Sequence, residues 1–150
     1  MPGYEMMFRK GRKPSSWSSA IKRLSASRNY LLGTVRPDGR PHVMPIWGVW
    51  LDNTFFFSTG TSSRKAKNLA RNRNCLVCPD GLEQAVILEG TARRIAPSHP
   101  YFPKAVRAYD KKYKVKLDGS EGPTFLVHPT SVLVMVEDGS TNPTRWSFTK

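Results

Sequence analysis

Two hydrophobic periods alternate along this chain. Ser18 to Ser27 (SSAIKRLSAS) reads as a short helix that turns Ile21 and Leu24 inward. Asn29 to Val35 reads as a strand and Arg36 to Arg40 (RPDGR) as a hairpin turn, with Asp-Gly supplying the positive φ angles. His42 to Leu51 is the returning strand, Asp52-Asn53 the next turn, and Thr54 to Ser58 a third strand. Then the period changes. From Ser63 to Asn72 the apolar residues Ala66, Leu69 and Ala70 recur at helical spacing, with Ser62 or Ser63 as the N-cap. Asn74 to Cys78 and Gln84 to Ile95 return to strand patterns, the second long and alternating. Pro97 to Lys116 reads as a helix carrying Phe102, Val106, Tyr109 and Tyr113 on one face. Phe125 to Glu137 is a strand region interrupted at His128-Pro129, and Thr144 to Phe148 a short last strand. About six strands, mostly hairpin-linked, with two or three helices between them predict a mainly β fold: a small β-barrel with flanking helices. Residues 1–16 lack such a pattern and are expected to form a flexible basic arm ahead of one domain, 17–150.

Composition narrows the class. At 150 residues, one domain is the expectation, and 39% hydrophobic with 23% charged residues is ordinary for a soluble globular chain. No apolar run approaches the ~20 residues of a membrane span. The N-terminal MPGYEMMFRKGRKPSSWSS is basic but has no apolar h-region, so it is not a secretory signal and a cytoplasmic location is expected. Charge changes the picture more. There are 24 Lys and Arg against 11 Asp and Glu, a formal net charge of +13, which favours polyanionic partners. The cations fall in three blocks: the arm (Arg9, Lys10, Arg12, Lys13), the segment after Gly60 (Arg64, Lys65, Lys67, Arg71, Arg73) and the stretch from Lys104 to Lys116. Solvated helix faces account for such blocks as well as ligands do.

The stretch TGTSSRKAKN carries the clearest candidate chemistry. It puts free backbone N–H groups at a helix start beside several hydroxyls and the cations Arg64 and Lys65, a combination that suits a phosphate. It is neither a Walker P-loop nor a G-x-G-x-x-G loop. Ser62-Ser-Arg-Lys65 matches S-x-x-K, but the S-D-N and K-T-G partners of the serine β-lactamases are absent. Cys75-Leu-Val-Cys78 sits in a strand, where positions three apart face opposite ways, so buried structural thiols are expected rather than a metal or redox pair. The three histidines are scattered; His42 adjoins the candidate site. Glu83, Glu89, Asp110, Glu121, Glu137 and Asp138 form no acid–base pair. An anion site with aromatic walls and no catalytic acids is expected where a bound cofactor carries the chemistry.

The run GRPHVMPIWGVWLDNTFFFSTGTSSRKAKNLARN, with NYLLGTVRPDGRP before it, VILEGTARRI at 86–95 and TRWSF at 144–148, resembles the pyridoxamine 5'-phosphate oxidase-like, flavin-binding split-barrel family, above all its flavin/deazaflavin-dependent reductase branch. The resemblance spans roughly residues 20–148. It implies a six-stranded antiparallel split barrel of the FMN-binding type, forming a homodimer with two cofactors at the subunit interface. By analogy His42 and the strand Val43, Met44, Pro45, Ile46, Trp47 would border the ring of FMN or of the deazaflavin coenzyme F-420. Ser58, Thr59 and Gly60 would line the ribityl-phosphate path. Ser63, Arg64 and Lys65 would hold the phosphate with Asn68 nearby, and Trp146 would approach the ring from its own or the neighbouring subunit. The implied activity is hydride transfer between the cofactor and a small conjugated or quinone-like substrate. The C-terminal substrate-phosphate residues of the true oxidases have no counterpart here, so the vitamin B6 reaction is not implied. FMN and coenzyme F-420 stand nearly level, the surplus cations favouring the acidic tail of the latter. Two other classes remain: a cofactor-binding sensor without turnover, and a basic nucleic-acid-binding β-barrel. The last is disfavoured because the aromatics of FFF and WGVW sit in strands that read as core. Val49, Leu51, Phe55 and Phe57 are together too apolar for a barrel exterior, so part of that surface, or of the 102–113 helix face, is expected to be buried in the dimer.

Overall fold

The computed structural model describes residues 5–81, 83–117, 120 and 122–148. Eight strands run in the order β1 (Tyr30–Val35), β2 (Pro41–Ile46), β3 (Val49–Leu51), β4 (Thr54–Ser58), β5 (Asn74–Pro79), β6 (Gln84–Ile95), β7 (Thr124–Val136) and β8 (Thr144–Ser147). Helix α1 (Trp17–Ala26) precedes them, α2 (Arg64–Arg71) links β4 to β5, and α3 (Phe102–Tyr113) links β6 to β7. All strand pairs are antiparallel, in the spatial order β2-β1-β5-β6-β7-β4-β3, with β8 on β7. The result is a curled, mainly β half-barrel with three flanking helices.

The apolar residues divide between the two faces of this sheet. Tyr30, Leu32, Phe55, Phe57, Val77, Leu88 and Val127 build the main core, closed by Ala20 and Leu24 of α1 and by Ala66 and Leu69 of α2. Phe56, Ile95 and Leu126 point the other way and are covered by Phe102, Ala105, Tyr109 and Tyr113 of α3. Three consecutive phenylalanines are thus all buried because strand residues alternate and both faces are covered. Each contributes roughly 1.5–3 kcal/mol of burial free energy. On α1 the inward pair is Ala20 and Leu24, spaced by four; Ile21 is only half-buried, one step off that face.

Several expectations from the sequence are corrected. The strand expected from His42 to Leu51 is two strands, since β2 pairs with β1 and β3 with β4, at opposite ends of the sheet order. The chain changes partner at Trp47-Gly48. A Cβ on Gly48 would lie 2.2 Å from the Phe55 ring, so only glycine fits that crossing. This split divides one of the expected strand segments in two and gives eight strands among the described residues, where about six were expected. His128-Pro129 does not interrupt β7. Pro129 stands opposite Gly90 at a β-bulge, one of the places where a strand tolerates the missing N–H. The helix expected from Pro97 begins at Phe102 and ends where Lys114 turns left-handed at φ 60°. In the RPDGR turn only Gly39 has positive φ, whereas Asp52 and Asn53 both do.

The basic arm, expected to be flexible, is tied down over Arg9–Ser15; residues 1–4 lie outside the described set. The Asn142 side chain accepts the Arg9 N–H at 2.8 Å and donates to the Arg12 carbonyl at 2.9 Å, while the Ser15 N–H donates to Thr144 Oγ1 at 2.8 Å. The surface expected to be left for a partner is also different. Val49, Phe55 and Phe57 are buried within the chain and Leu51 is half-buried, because β4 and β7 flank them and α3 and α1 lie above. Four of the large apolar residues left open are instead on β1 and β2 and at their end, Leu31 at 46% exposure, Val43 at 56%, Met44 and Trp47; the others described are Met7, Phe8 and Val115.

Candidate functional site

Where the chain leaves β2 and where it leaves β4, the two ends flank a cavity of about 390 Å³. Its lining is Asn29, Pro45, Ile46, Trp47, Ser58, Thr59, Lys65 and Tyr109. A second lobe of about 370 Å³ shares Trp47, Ser58, Thr59 and Tyr109 and adds Gly60, Val115, Lys116 and Leu117. The volume suits a small organic ligand.

The polar end is local in sequence. β4 stops at Ser58, the chain turns at Gly60 through Ser63 N–H to Gly60 carbonyl (3.0 Å), and α2 begins. Ser63 is the N-cap, its Oγ accepting the Ala66 N–H at 3.2 Å and lying 3.2 Å from Thr59 Oγ1. Lys65 lines the cavity one residue into the helix. A helix N-terminus with a lysine and two strand-end hydroxyls attracts an anion. His42 is part of this electrostatic setting: burial first, then the cations of Arg36, Lys65 and Arg64, hold its imidazole below the usual histidine pKa, so it is neutral at physiological pH.

The aromatic end is assembled from distant segments. The Trp47 ring stacks on Tyr113, with centroids 4.8 Å apart and planes 8° from parallel, and the Arg28 guanidinium lies 5.7 Å from the Trp47 and 5.5 Å from the Tyr113 centroid. The Gly48 N–H donates to Tyr113 Oη at 2.9 Å, and that hydroxyl donates towards the carbonyls of Arg28 (2.7 Å) and Gly48 (2.8 Å). Lys112 Nζ donates to Tyr30 Oη at 2.7 Å and to the Gly48 carbonyl at 3.0 Å. The last turn of α3 therefore grips the Trp47-Gly48 crossing from behind and fixes the cavity wall. Burial pushes the Lys112 amine down to about 8, with the Arg28 charge adding to the effect. Burial raises both tyrosine hydroxyls, which stay neutral.

Of the residues expected at the site, the fold brings Pro45, Ile46, Trp47, Ser58, Thr59 and Lys65 to the main cavity and Gly60 to its second lobe. Ser63 caps the helix behind them and Arg64 is exposed on its first turn. Ser63, Arg64 and His42 line neither lobe, and four further residues lie elsewhere. Val43 borders a separate groove on the far side of β1, and Met44 is exposed on the edge strand. Asn68 faces the core: fully buried, it donates to Thr34 Oγ1 at 3.0 Å, and Thr34 Oγ1 in turn lies 3.3 Å from the His42 carbonyl. It lies on the inward face with Leu69, so it braces α2 against β1 rather than meeting a phosphate. Trp146 packs on Trp17 at 5.3 Å and lines neither lobe. Asn29, Tyr109 and the supporting Arg28, Lys112 and Tyr113 were not expected from sequence. The only signal for them was the aromatic stripe of α3, which reads equally well as core. The thiols behave as expected: Cys75 and Cys78 face opposite ways, and burial pushes them up to about 12 and about 11, so neither is a thiolate at neutral pH.

Among the described residues the main lining contains no carboxylate, thiol or imidazole, and Lys65 and Tyr109 are its titratable members. A cation at a helix start, apolar and aromatic walls and no acid–base pair fit a planar, phosphate-bearing group that brings its own chemistry. The curled antiparallel sheet with its flanking helices is that of the split-barrel proteins. The family model described as Pyridoxamine 5'-phosphate oxidase matches residues 19–135, and the chain belongs to that family. A pyridoxine/pyridoxamine 5'-phosphate oxidase of Bacteroides thetaiotaomicron is 34% identical over 98 residues, 62% of this chain and 45% of that protein, so the match spans less than half of the relative's length. Among solved structures, a heme-binding protein from Mycobacterium smegmatis superposes with a TM-score of 0.73 at 17% identity, covering 89% of this chain and 58% of that one. An F420 reductase superposes with a TM-score of 0.60 at 24% identity, covering 79% and 97%. At these identities the likeness concerns the fold.

Proposed function

We propose that this chain is a flavin-type cofactor-dependent oxidoreductase that moves a hydride between FMN or the deazaflavin coenzyme F-420 and a small conjugated or quinone-like substrate. The observation that carries the reading is the cavity between the capped start of α2 and the stacked Trp47–Tyr113 pair. Lys65, Ser58 and Thr59 would hold the phosphate arm; Pro45, Ile46 and Trp47 would border the ring. When bound, the cofactor supplies the redox chemistry. The protein binds, orients and shields it, and the second lobe beside Val115 and Leu117 leaves room for a small substrate. The names of the family and of the F420 reductase relative support this class of cofactor.

The reading includes a homodimer. The open apolar Val43 lines a groove of about 480 Å³ across Gly33, Cys75, Leu76 and Gly90, and Leu31, in phase with Gly33, is open on the same face, a surface that a second copy would cover. Trp146 would then reach a cofactor only from the partner. Light scattering at micromolar concentration should give twice the mass of the chain; a monomer would contradict this part.

The direct test is the absorption spectrum of the purified protein and its titration with FMN and with coenzyme F-420. A flavin or deazaflavin band and saturable binding are expected. High salt should weaken F-420 more than FMN, because its acidic tail makes screened surface contacts. A Soret band with no binding of either cofactor would instead make this a heme protein of the same fold.

A further inference from the structure

We propose that a second concavity, on the flank of α2 opposite the cofactor cavity, is an anion site for a nucleotide phosphate. It encloses about 400 Å³ and is walled by Lys67, Arg73, Arg93 and Arg94 over a floor that includes Leu69 and Phe125. It shares no lining residue with the cavity around Lys65, so the inference stands independently of the cofactor assignment.

Three pieces of chain deliver the cations: Lys67 from α2, Arg73 from its link to β5, and Arg94 from the end of β6, with Arg93, on the other face of that strand, at the rim. The Ala92 N–H donates to the Arg73 carbonyl at 2.7 Å, which fixes two of these segments side by side. β5 stops pairing at Asn74, opposite Thr91, so from Ala92 onward this edge of β6 has no strand beside it and the groove opens there. Arg94 holds the telling position. It is the cross-strand partner of Phe125 and in phase with Ala92, both of which belong to the main core. An arginine at an inward register, exposed only because the barrel wall gapes, is not what solubility alone demands.

Among the described residues the groove lining holds no carboxylate, and none of its four cations is in an ion pair. Like charges around one concavity raise its potential, and a multivalent anion relieves it. Guanidinium groups bind phosphate oxygens in pairs, which favours phosphate over a lone carboxylate. The apolar floor adds a place for a base, and a concavity of about 400 Å³ suits a nucleotide-sized ligand rather than a nucleic-acid strand.

The test is calorimetric titration of the full-length protein at low salt with ADP, NADPH, adenosine and a short single-stranded oligonucleotide. ADP or NADPH should bind and adenosine should not; the tighter of the two tells a free nucleotide from a dinucleotide electron donor. Arg73→Gln with Arg94→Gln should lower that affinity by about tenfold or more, given the strength of charge-assisted hydrogen bonds. The variant should keep the urea midpoint of the native protein, which reports that it is folded. Lys10→Gln with Lys13→Gln, the same change of net charge in the arm, should have little effect. Equal losses in both double variants would reduce the effect to general charge and overturn the proposal. So would binding of the oligonucleotide alone, or ADP affinity untouched by the groove substitutions.

Discussion

The two ends of the cavity between β2, β4 and α2 are built by opposite means. The α2 end comes from one continuous stretch, Ser58 to Lys65, in which a strand stops, a turn closes and a capped helix starts. Its groups are polar and partly open, and they act through charge. The α3 end is drawn from Arg28, Tyr30, Trp47-Gly48 and the last turn of α3, and holds through stacking and shared backbone hydrogen bonds. Damage to the first end should change affinity and spare the fold. Damage to the second should change stability first, and affinity only through the position of Trp47.

The largest effect belongs to the α3 end. Gly48→Ala puts a methyl 2.2 Å from the Phe55 ring and 2.8 Å from the Phe56 carbonyl, and backbone cannot retreat as a flexible side chain can. A loss of about 3 kcal/mol or more is expected, the upper part of the overpacking range. Urea unfolding checks it; a loss below about 1 kcal/mol would mean that the crossing is loose.

Next comes the polar end. Lys65→Ala should weaken FMN by about 1.5–3 kcal/mol, the worth of a hydrogen bond to a charged group, with the urea midpoint unchanged. Arg64→Ala, at an exposed position outside the lining, should cost less than about 1 kcal/mol. Equal effects would show that the anion sits over the helix start rather than inside the cavity. Tyr113→Phe should fall between these two, about 1–3 kcal/mol of stability, because the Gly48 N–H is left buried without its acceptor. The change in Trp47 emission that should accompany it separates loss of position from loss of stability alone.

This contrast also explains what could be read from the sequence. Ser63 and Lys65 announced themselves because cap, cation and helix start are neighbours in the chain. Asn68 misled for the same reason: it lies in the same basic stretch, but the helical turn carries it to the core, where it meets Thr34. The β2–β3 division at Gly48 was hidden, since Val43 to Leu51 is apolar throughout and only the change of strand partner reveals the break. Pro129 looked like an interruption because the bulge that accommodates it depends on Gly90, far away in sequence. The Trp47–Tyr113 stack had no local signature at all; its members are brought together by the packing of α3 on the sheet.

The smallest effect expected is a pH dependence at the α3 end. Lys112 faces Tyr30, Tyr113 and the Gly48 carbonyl; burial and the Arg28 charge lower its pKa from 10.5 to about 8, partly offset by Asp80. Between those two values the unfolded chain binds a proton that the folded chain does not. Stability attributable to Lys112 therefore rises with pH across that window and is lost as pH falls through about 8, where the half-buried ammonium must be accommodated. Tyr30 does not compensate, because burial raises its hydroxyl well above the window. Lys112→Met keeps the aliphatic stem and removes the proton. The melting temperature of the native protein, measured relative to this variant, should climb from pH 7 to pH 9.5, and ionisations common to both chains cancel in the difference. Parallel curves would mean that the amine titrates normally and that α3 holds Trp47 through Tyr113 alone.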